Sequence, residues 1–510
     1  MKGLVFAAAA LCVPPFAFLL AQNRRWMRYA FVGVVAAMCL YEATSINFLA
    51  HPDYRGTSRG LEVSLAHLMA FSLLGAVAFS GRLRRLVPDR GAALFLLYAL
   101  LCLPSLSAAE NVLFGLFEVW KTALLYVLYL AVRSYLRATD DLRTVLRALA
   151  AFAAVNFAVV VRAHVAGVWQ PHGLFPHQNS MAVAMNLLGC LFLAGYVEHG
   201  AGTRLGRLCL AGFLCAAAAA VRSYSRMALA LMPVGYGLAW LLCVVRVRPR
   251  RWLARTVPLA VAGLVALAAM APRIVQRFET APKESGSTRV ELALCAWEMV
   301  KDEPLRGVGL NNWGIKINPP YEYAERAGRV RDWGGDTSDA LVETVYLLTA
   351  AECGIPALLA LLAWFAWHLF RCIPLTRTLR GTPWAFVPAG LAGGLVAAYL
   401  QSCFEWVFRQ PLNLFVLVIL FAMISYLNDI APARGGVRPR HAFTIPARDG
   451  EPGAEAATRI RFREGRRRDT CSPGSPGRAN LPRSVGPAGW SRRRPSPSRS
   501  EATPARPDGR

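Results

Sequence analysis

Long stretches almost without charge recur along this chain, and they constrain its fold more than any other feature. Tyr29–Leu49, Leu208–Val221 and Thr256–Ala271 are three of them. A helix needs about 20 residues to cross ~30 Å of hydrocarbon, so such runs read as membrane spans. Hydropathy places spans near 3–21, 29–50, 63–80, 91–108, 112–132, 145–165, 181–197, 208–222, 226–245, 256–272, 346–370, 384–403 and 411–428. The expectation is an all-α polytopic membrane protein with about 12–13 transmembrane helices, the first broken at Pro14-Pro15. Only 17% of residues are charged, against about 25% in soluble domains. A soluble enzyme is excluded, and so is a secreted disulfide scaffold: the 12 Cys are scattered, mostly inside apolar runs, with no CxxC pair.

The net charge of +26 raises the possibility of a nucleic-acid partner, but its placement argues against one. Arg24/Arg25/Arg28, Arg82/Arg84/Arg85/Arg90, Arg133/Arg137/Arg143, Arg204/Arg207, Arg246/Arg248/Arg250/Arg251/Arg255 and Arg371/Arg377/Arg380 fall between spans on one side. The positive-inside rule makes that side cytoplasmic. The opposite side receives Asn47–Glu62, Ser107–Asn111, Ala163–Ser180, Arg222–Arg226, the long segment 273–345 and Glu405–Arg409. No small-residue cleavage site follows the first apolar run, so no cleavable signal peptide is expected.

Four regions follow: an N-terminal helix bundle at 1–272, a loop lobe at 273–345, C-terminal spans at 346–430 and a tail at 431–510. The loop carries 10 basic and 12 acidic residues. In it Leu292, Cys295 and Met299 share one helical face, so an ordered lobe is expected. The tail holds 18 Arg, 12 Pro and 10 Gly, and with so little apolar area it is expected to be disordered. Its arginines would suit anionic lipid headgroups.

Polar groups near spans are costly and therefore functional candidates, and here they gather on the outer side. Arg222 and Arg226 are four apart, so on a helix they share a face and form an anion site; the competing reading is a tight turn whose arginines snorkel to headgroups. Arg289, with Ser287 or Thr288 as N-cap, would open a lobe helix. It is either a further phosphate ligand or one solvated arginine among many. Gly307-Val308-Gly309-Leu310-Asn311-Asn312 permits close backbone approach to a substrate, or is simply a tight turn. His177 and Asn179 stand at an outer helix entry, where they offer an imidazole and an amide or merely cap the helix. Glu343 sits at the outer edge of the next span as a general base, or as a charge favoured by the helix dipole. Glu118 and Lys121, inside a span, read as a buried ion pair. Gly56-Thr57-Ser58-Arg59-Gly60 matches the GxSxG string of hydrolases, but lacks the strand and helix that motif requires. No metal constellation and no Walker A loop occurs, so no metal or cofactor is expected.

These stretches resemble the bacterial O-antigen ligase and polysaccharide polymerase superfamily. Ser223–Ala228 is similar to the Ser-Arg-Ala-type motif at a periplasmic helix end. Thr288-Arg289 through Trp313 is similar to the periplasmic loop signature, and Glu343–Gly354, with Tyr346, to the start of the following span. The resemblance covers roughly residues 60–430. It implies glycan transfer from a polyprenyl-pyrophosphate-linked donor to a glycan or glycolipid acceptor. That transfer would be metal-independent and inverting, at the periplasmic face of the bacterial inner membrane, in lipopolysaccharide or exopolysaccharide synthesis, with polysaccharide assembly proteins as candidate partners. By position Arg226 and Arg289 would hold the pyrophosphate, with Arg222, His177, Asn179, Asn311, Asn312 and Tyr346 as further substrate ligands. The ligases' His-Asn pair is replaced here by Glu343-Thr344, so the implied base is a carboxylate, which widens the reading from ligase to polymerase. Two other classes remain: a transporter of an anion or lipid-linked sugar, and a non-catalytic component of a polysaccharide export complex.

Overall fold

The computed structural model describes residues 2–81, 87–245, 247, 249–279, 284–328 and 341–431. The tail expected to be disordered and the segment 329–340 therefore lie outside the described residues. The rest is helical apart from one two-stranded hairpin, as the apolar runs require: in hydrocarbon a helix satisfies its own backbone.

Among the described residues nine helices are long and apolar enough to cross a membrane, or ten if the bent pair 250–266 and 268–276 is one span. The other spans among the expected 12–13 are shorter than the rest. Each exists as a helix. Arg24–Cys39 stops at Leu40, where the backbone leaves the helical region (φ −107°, ψ 19°), and only the short turn Tyr41–Thr44 follows. Leu65–Phe79 starts at a Ser64–His67 capping box, and Phe386–Gln401 ends before the polar Ser402–Gln410 link. Hydropathy averaged over a window cannot see these caps. The first span is broken at Cys12, beside Pro14-Pro15, into Lys2–Leu11 and Val13–Ala21.

Two helices form the interior. The most apolar stretch of Gln178–His199 is wholly buried and packs on Arg204–Arg222, Arg226–Val244 and Phe386–Gln401. Pro411–Ile430 is nearly as enclosed and packs on Val112–Thr139. Both are apolar all round, which is the pattern of a central helix.

The lobe within 284–328 is built on the apolar helices rather than beside them. Leu292, Cys295 and Met299 are buried, as their spacing predicts, together with Trp313, Ile317, Leu348 and Ala351. The last two belong to the helix Val345–Thr378, which is broken at Gly354 (φ 81°) ahead of Pro356. Proline removes one ladder donor there, and the freed carbonyls of Ala351 and Glu352 accept the Val308 and Gly309 N–H groups at 2.9 and 3.1 Å. A Cβ at Gly307 would lie 2.3 Å from the Glu352 carbonyl carbon, and Gly307 and Gly309 have φ of 71° and 120°. The glycine turn thus fills a helix break.

Candidate functional site

The hairpin, the polar link after Phe386–Gln401, the lobe and three helix entries enclose a cavity of about 730 Å³. It brings together Arg226, Arg289, Glu343, His177 and Asn179, residues spread over 167 positions of sequence (343 − 177 = 166 steps).

Arg226 is the first residue of Arg226–Val244, placed by the tight turn Ser223-Tyr224-Ser225, in which Tyr224 adopts φ 50°. The turn is held by the Ser223 hydroxyl, which accepts the Ser225 N–H at 3.1 Å. Arg226 makes no ion pair or hydrogen bond through its side chain with any described residue. Ser225, its N-cap, is 3% exposed, lines the cavity, and its Oγ also has no partner among the described residues. A helix N-terminus, a free guanidinium and a buried hydroxyl without a partner therefore converge on one wall. Each is a donor, an arrangement chemically suited to an anion.

Arg289 lies in the second turn of Glu284–Asp302, not at its opening, so neither Ser287 nor Thr288 is its N-cap. Its Nε donates to Glu343 Oε2, and its Nη2 lies 3.6 Å from Glu405 Oε1. Glu343 immediately precedes Thr344, the N-cap of the next helix. Glu405, in the link between two apolar helices, also accepts the Asn179 side-chain N–H at 2.5 Å. Burial and, secondly, the Glu343 charge push its carboxyl up to about 7, against the pull of Arg289, the Asn179 hydrogen bond and Arg226. His177 is the actual N-cap of Gln178–His199 and accepts the Asn179 N–H. Burial, then His172 and Arg289, lower its pKa, so it faces the cavity as a neutral imidazole.

Four expected ligands do not line the cavity. Arg222 bonds the Tyr224 hydroxyl at 2.6 Å and meets His164. Tyr346 donates its hydroxyl to the Tyr399 carbonyl at 2.9 Å. The Asn311 amide donates to the Ser58 and Phe114 carbonyls, both at 2.8 Å, and accepts the Thr57 N–H at 2.8 Å. The Asn312 amide is used up on the backbone of Asn111 and Leu310. Both asparagines are fully buried and pin the Thr57-Ser58 wall and the lobe from behind. The GxSxG string is that wall: Ser58 Oγ donates to Glu118 and is not presented as a nucleophile.

Beneath the cavity Glu118, Lys121, Glu352 and Arg409 form a buried cluster. Lys121 and Arg409 reach Glu118 at 2.7 and 3.1 Å, and Arg409 reaches Glu352 at 3.2 Å. The expected Glu118–Lys121 pair is therefore half of a four-membered network. Sequence reasoning missed Glu405 and Arg409, which it read as one short outer turn. The available signal was an acid and an arginine retained between two apolar runs. Among the described residues no group of three or more His, Cys, Asp or Glu is placed to hold a metal ion.

Residues 211–362 match the family model described as O-antigen ligase. The matched stretch is just under a third of the chain and is similar to that family. The match takes in Arg226, Arg289, Glu343 and the glycine turn, and stops short of Asn179, Glu405 and the hairpin. No curated protein matches the chain. The apolar helices are those of a multi-pass membrane protein, and the matched stretch is similar to a family described as O-antigen ligase.

Proposed function

We propose that the cavity transfers a glycan from a polyprenyl-pyrophosphate carrier to a sugar acceptor, without a metal, at the periplasmic face of the inner membrane. The observation that carries this reading is the wall on which Arg226, the Ser225 hydroxyl and the helix N-terminus all offer unused donors, with Arg289 across from them. A leaving pyrophosphate gathers negative charge as its bond to the sugar breaks, and fixed donors aimed at that charge stabilise the transition state. Guanidinium groups bind it bidentately.

An acceptor hydroxyl oxygen attacks the anomeric carbon from the face opposite the pyrophosphate. The new C–O bond forms as the old one breaks, giving inversion, and polyprenyl pyrophosphate departs with the bonding electron pair. The hydroxyl proton passes to a carboxylate. Two stand in the cavity, and Glu405 suits the role better than Glu343, which was the expectation from sequence. Glu343 accepts the Arg289 Nε–H directly, whereas Glu405 is buried, accepts one amide, stands 3.6 Å from the same guanidinium and has its carboxyl raised to about 7, near the pH at which a base is most effective. Glu343 then orients Arg289.

The test uses purified protein in liposomes with a polyprenyl-pyrophosphate oligosaccharide, an acceptor glycolipid and a chelator, following release of polyprenyl pyrophosphate. Wild type should release it. Arg226→Ala should lower the rate about 10²–10³-fold, and Arg226→Lys should restore little, because an ammonium is not bidentate. Release by Arg226→Ala near the wild-type rate would refute the mechanism.

A further inference from the structure

The cavity has a second wall that the pyrophosphate does not need. The hairpin pairs Ile46 with Val63 and Asn47 with Glu62, so Asn47 and Glu62 stand opposite one another on one face, and both line the cavity. Gly60 makes room for this: a Cβ there would lie 1.9 Å from Asn47 Oδ1. The Glu62 carboxylate is oriented by the Ser45 hydroxyl, which donates to Oε1, and by the Tyr41 hydroxyl. Arg59 is exposed, lines the same wall and has no side-chain partner among the described residues. Trp120, on Val112–Thr139, donates its indole N–H to the Glu62 carbonyl at 3.1 Å and is 38% exposed. Its polar atom is thus used, and what it offers the cavity is ring surface.

This is not a second phosphate site. The neighbouring Lys121 is neutralised by Glu118 at 2.7 Å, and Glu62 stands beside Arg59. An aromatic face bordered by a carboxylate, an amide and a guanidinium instead matches a sugar ring, whose C–H faces are apolar and whose rim is hydroxyl. We propose that Trp120, Glu62, Asn47 and Arg59 form the acceptor-glycan subsite, with a sugar ring on the Trp120 face and its hydroxyls on Glu62, Asn47 and Arg59. The proposal rests on the transferase reading. The two walls meet through Val407–Gln410: Val407 and Gln410 line the cavity, and the Arg409 carbonyl accepts the Lys121 ammonium at 2.8 Å. An acceptor held on the second wall would therefore share the cavity with the pyrophosphate held on the first.

The experiment measures equilibrium binding of two probes to the full chain in nanodiscs, in chelator. One probe is lipid-free surface oligosaccharide released by mild acid from the producing cells. The other is inorganic pyrophosphate. Trp120→Ala should weaken oligosaccharide binding by about tenfold or more, Trp120→Phe should recover most of it, and Glu62→Gln should weaken it while leaving the carbonyl that Trp120 uses. Pyrophosphate binding should be unchanged in all three and lost in Arg226→Ala, which should still bind oligosaccharide. Wild-type oligosaccharide affinity in both Trp120→Ala and Glu62→Gln, or no oligosaccharide binding by wild type, would overturn the subsite. Loss of the pyrophosphate arm alone would instead count against the transferase reading.

Discussion

Two constellations of arginine and glutamate lie within one molecule, and they are finished to different degrees. In the buried cluster Glu118 Oε1 accepts Arg409, its Oε2 accepts Lys121, Ser58 and Thr57, and Glu352 accepts Arg409 and the Trp313 N–H. Two acids meet two bases, nearly every carboxylate site is filled, and side-chain exposure is 12% or less. Such a cluster costs desolvation and is stable only when complete. In the cavity, Arg226 and Ser225 have no partner among the described residues, and Glu343 and Glu405 share one arginine. Residue type does not separate the two. What separates them is that the buried carboxylates have their cations, with Arg409 Nε alone of that cluster's atoms left without a partner among the described residues, whereas the cavity wall holds a guanidinium and a hydroxyl that no described residue engages.

The comparison can be broken from either end. Arg409→Ala should be the most damaging change, because it leaves Glu352 as a buried carboxylate without its cation. A loss of about 3–5 kcal/mol is expected, read as a lowered unfolding midpoint in detergent. An unchanged midpoint would mean that the cluster is not structural. Glu405→Gln should leave the midpoint in place and slow polyprenyl-pyrophosphate release by about 10²–10⁴-fold. Asn311→Ala should cost about 1–3 kcal/mol, since it strands the Ser58 and Phe114 carbonyls. If it instead spared stability and removed glycan binding, Asn311 would be the ligand that its place in the sequence suggested. Glu343→Gln should have the smallest effect, about tenfold or less on release, because its pair with Arg289 is about a third exposed and screened. A larger loss than that of Glu405→Gln would return the base to Glu343.

That Arg226 and Arg289 line one cavity was legible in the sequence: Arg226 falls in a turn expected on the side where arginine is disfavoured, and Arg289 in a helical pattern expected on the same side. Those arguments needed only local spacing and the alternation of charge between spans. Glu405 was not legible, because its role is set by Asn179 and Arg289, 226 and 116 positions earlier, and nothing near it in sequence distinguishes a buried acid from a solvated turn. The glycine turn misled for the opposite reason. A Gly-rich loop with two asparagines looks the same whether it embraces a ligand or plugs the break at Gly354, and only the partner of each amide decides. The helices were read correctly as helices; their lengths were overestimated where the chain leaves the helix inside an apolar run, as at Leu40.

The central claim is that Glu405 removes the acceptor proton beside metal-free arginines, and the pH dependence of release tests it most directly. The carboxyl is raised to about 7, and only its ionised form accepts a proton. Release by wild type in chelator should therefore rise with pH through about 7 and level off above it. Glu405→Gln should lose that limb along with most of the rate. A Glu405→Gln variant that retains both the rate and the limb, or a wild type that releases nothing from its native donor and acceptor, would contradict the account.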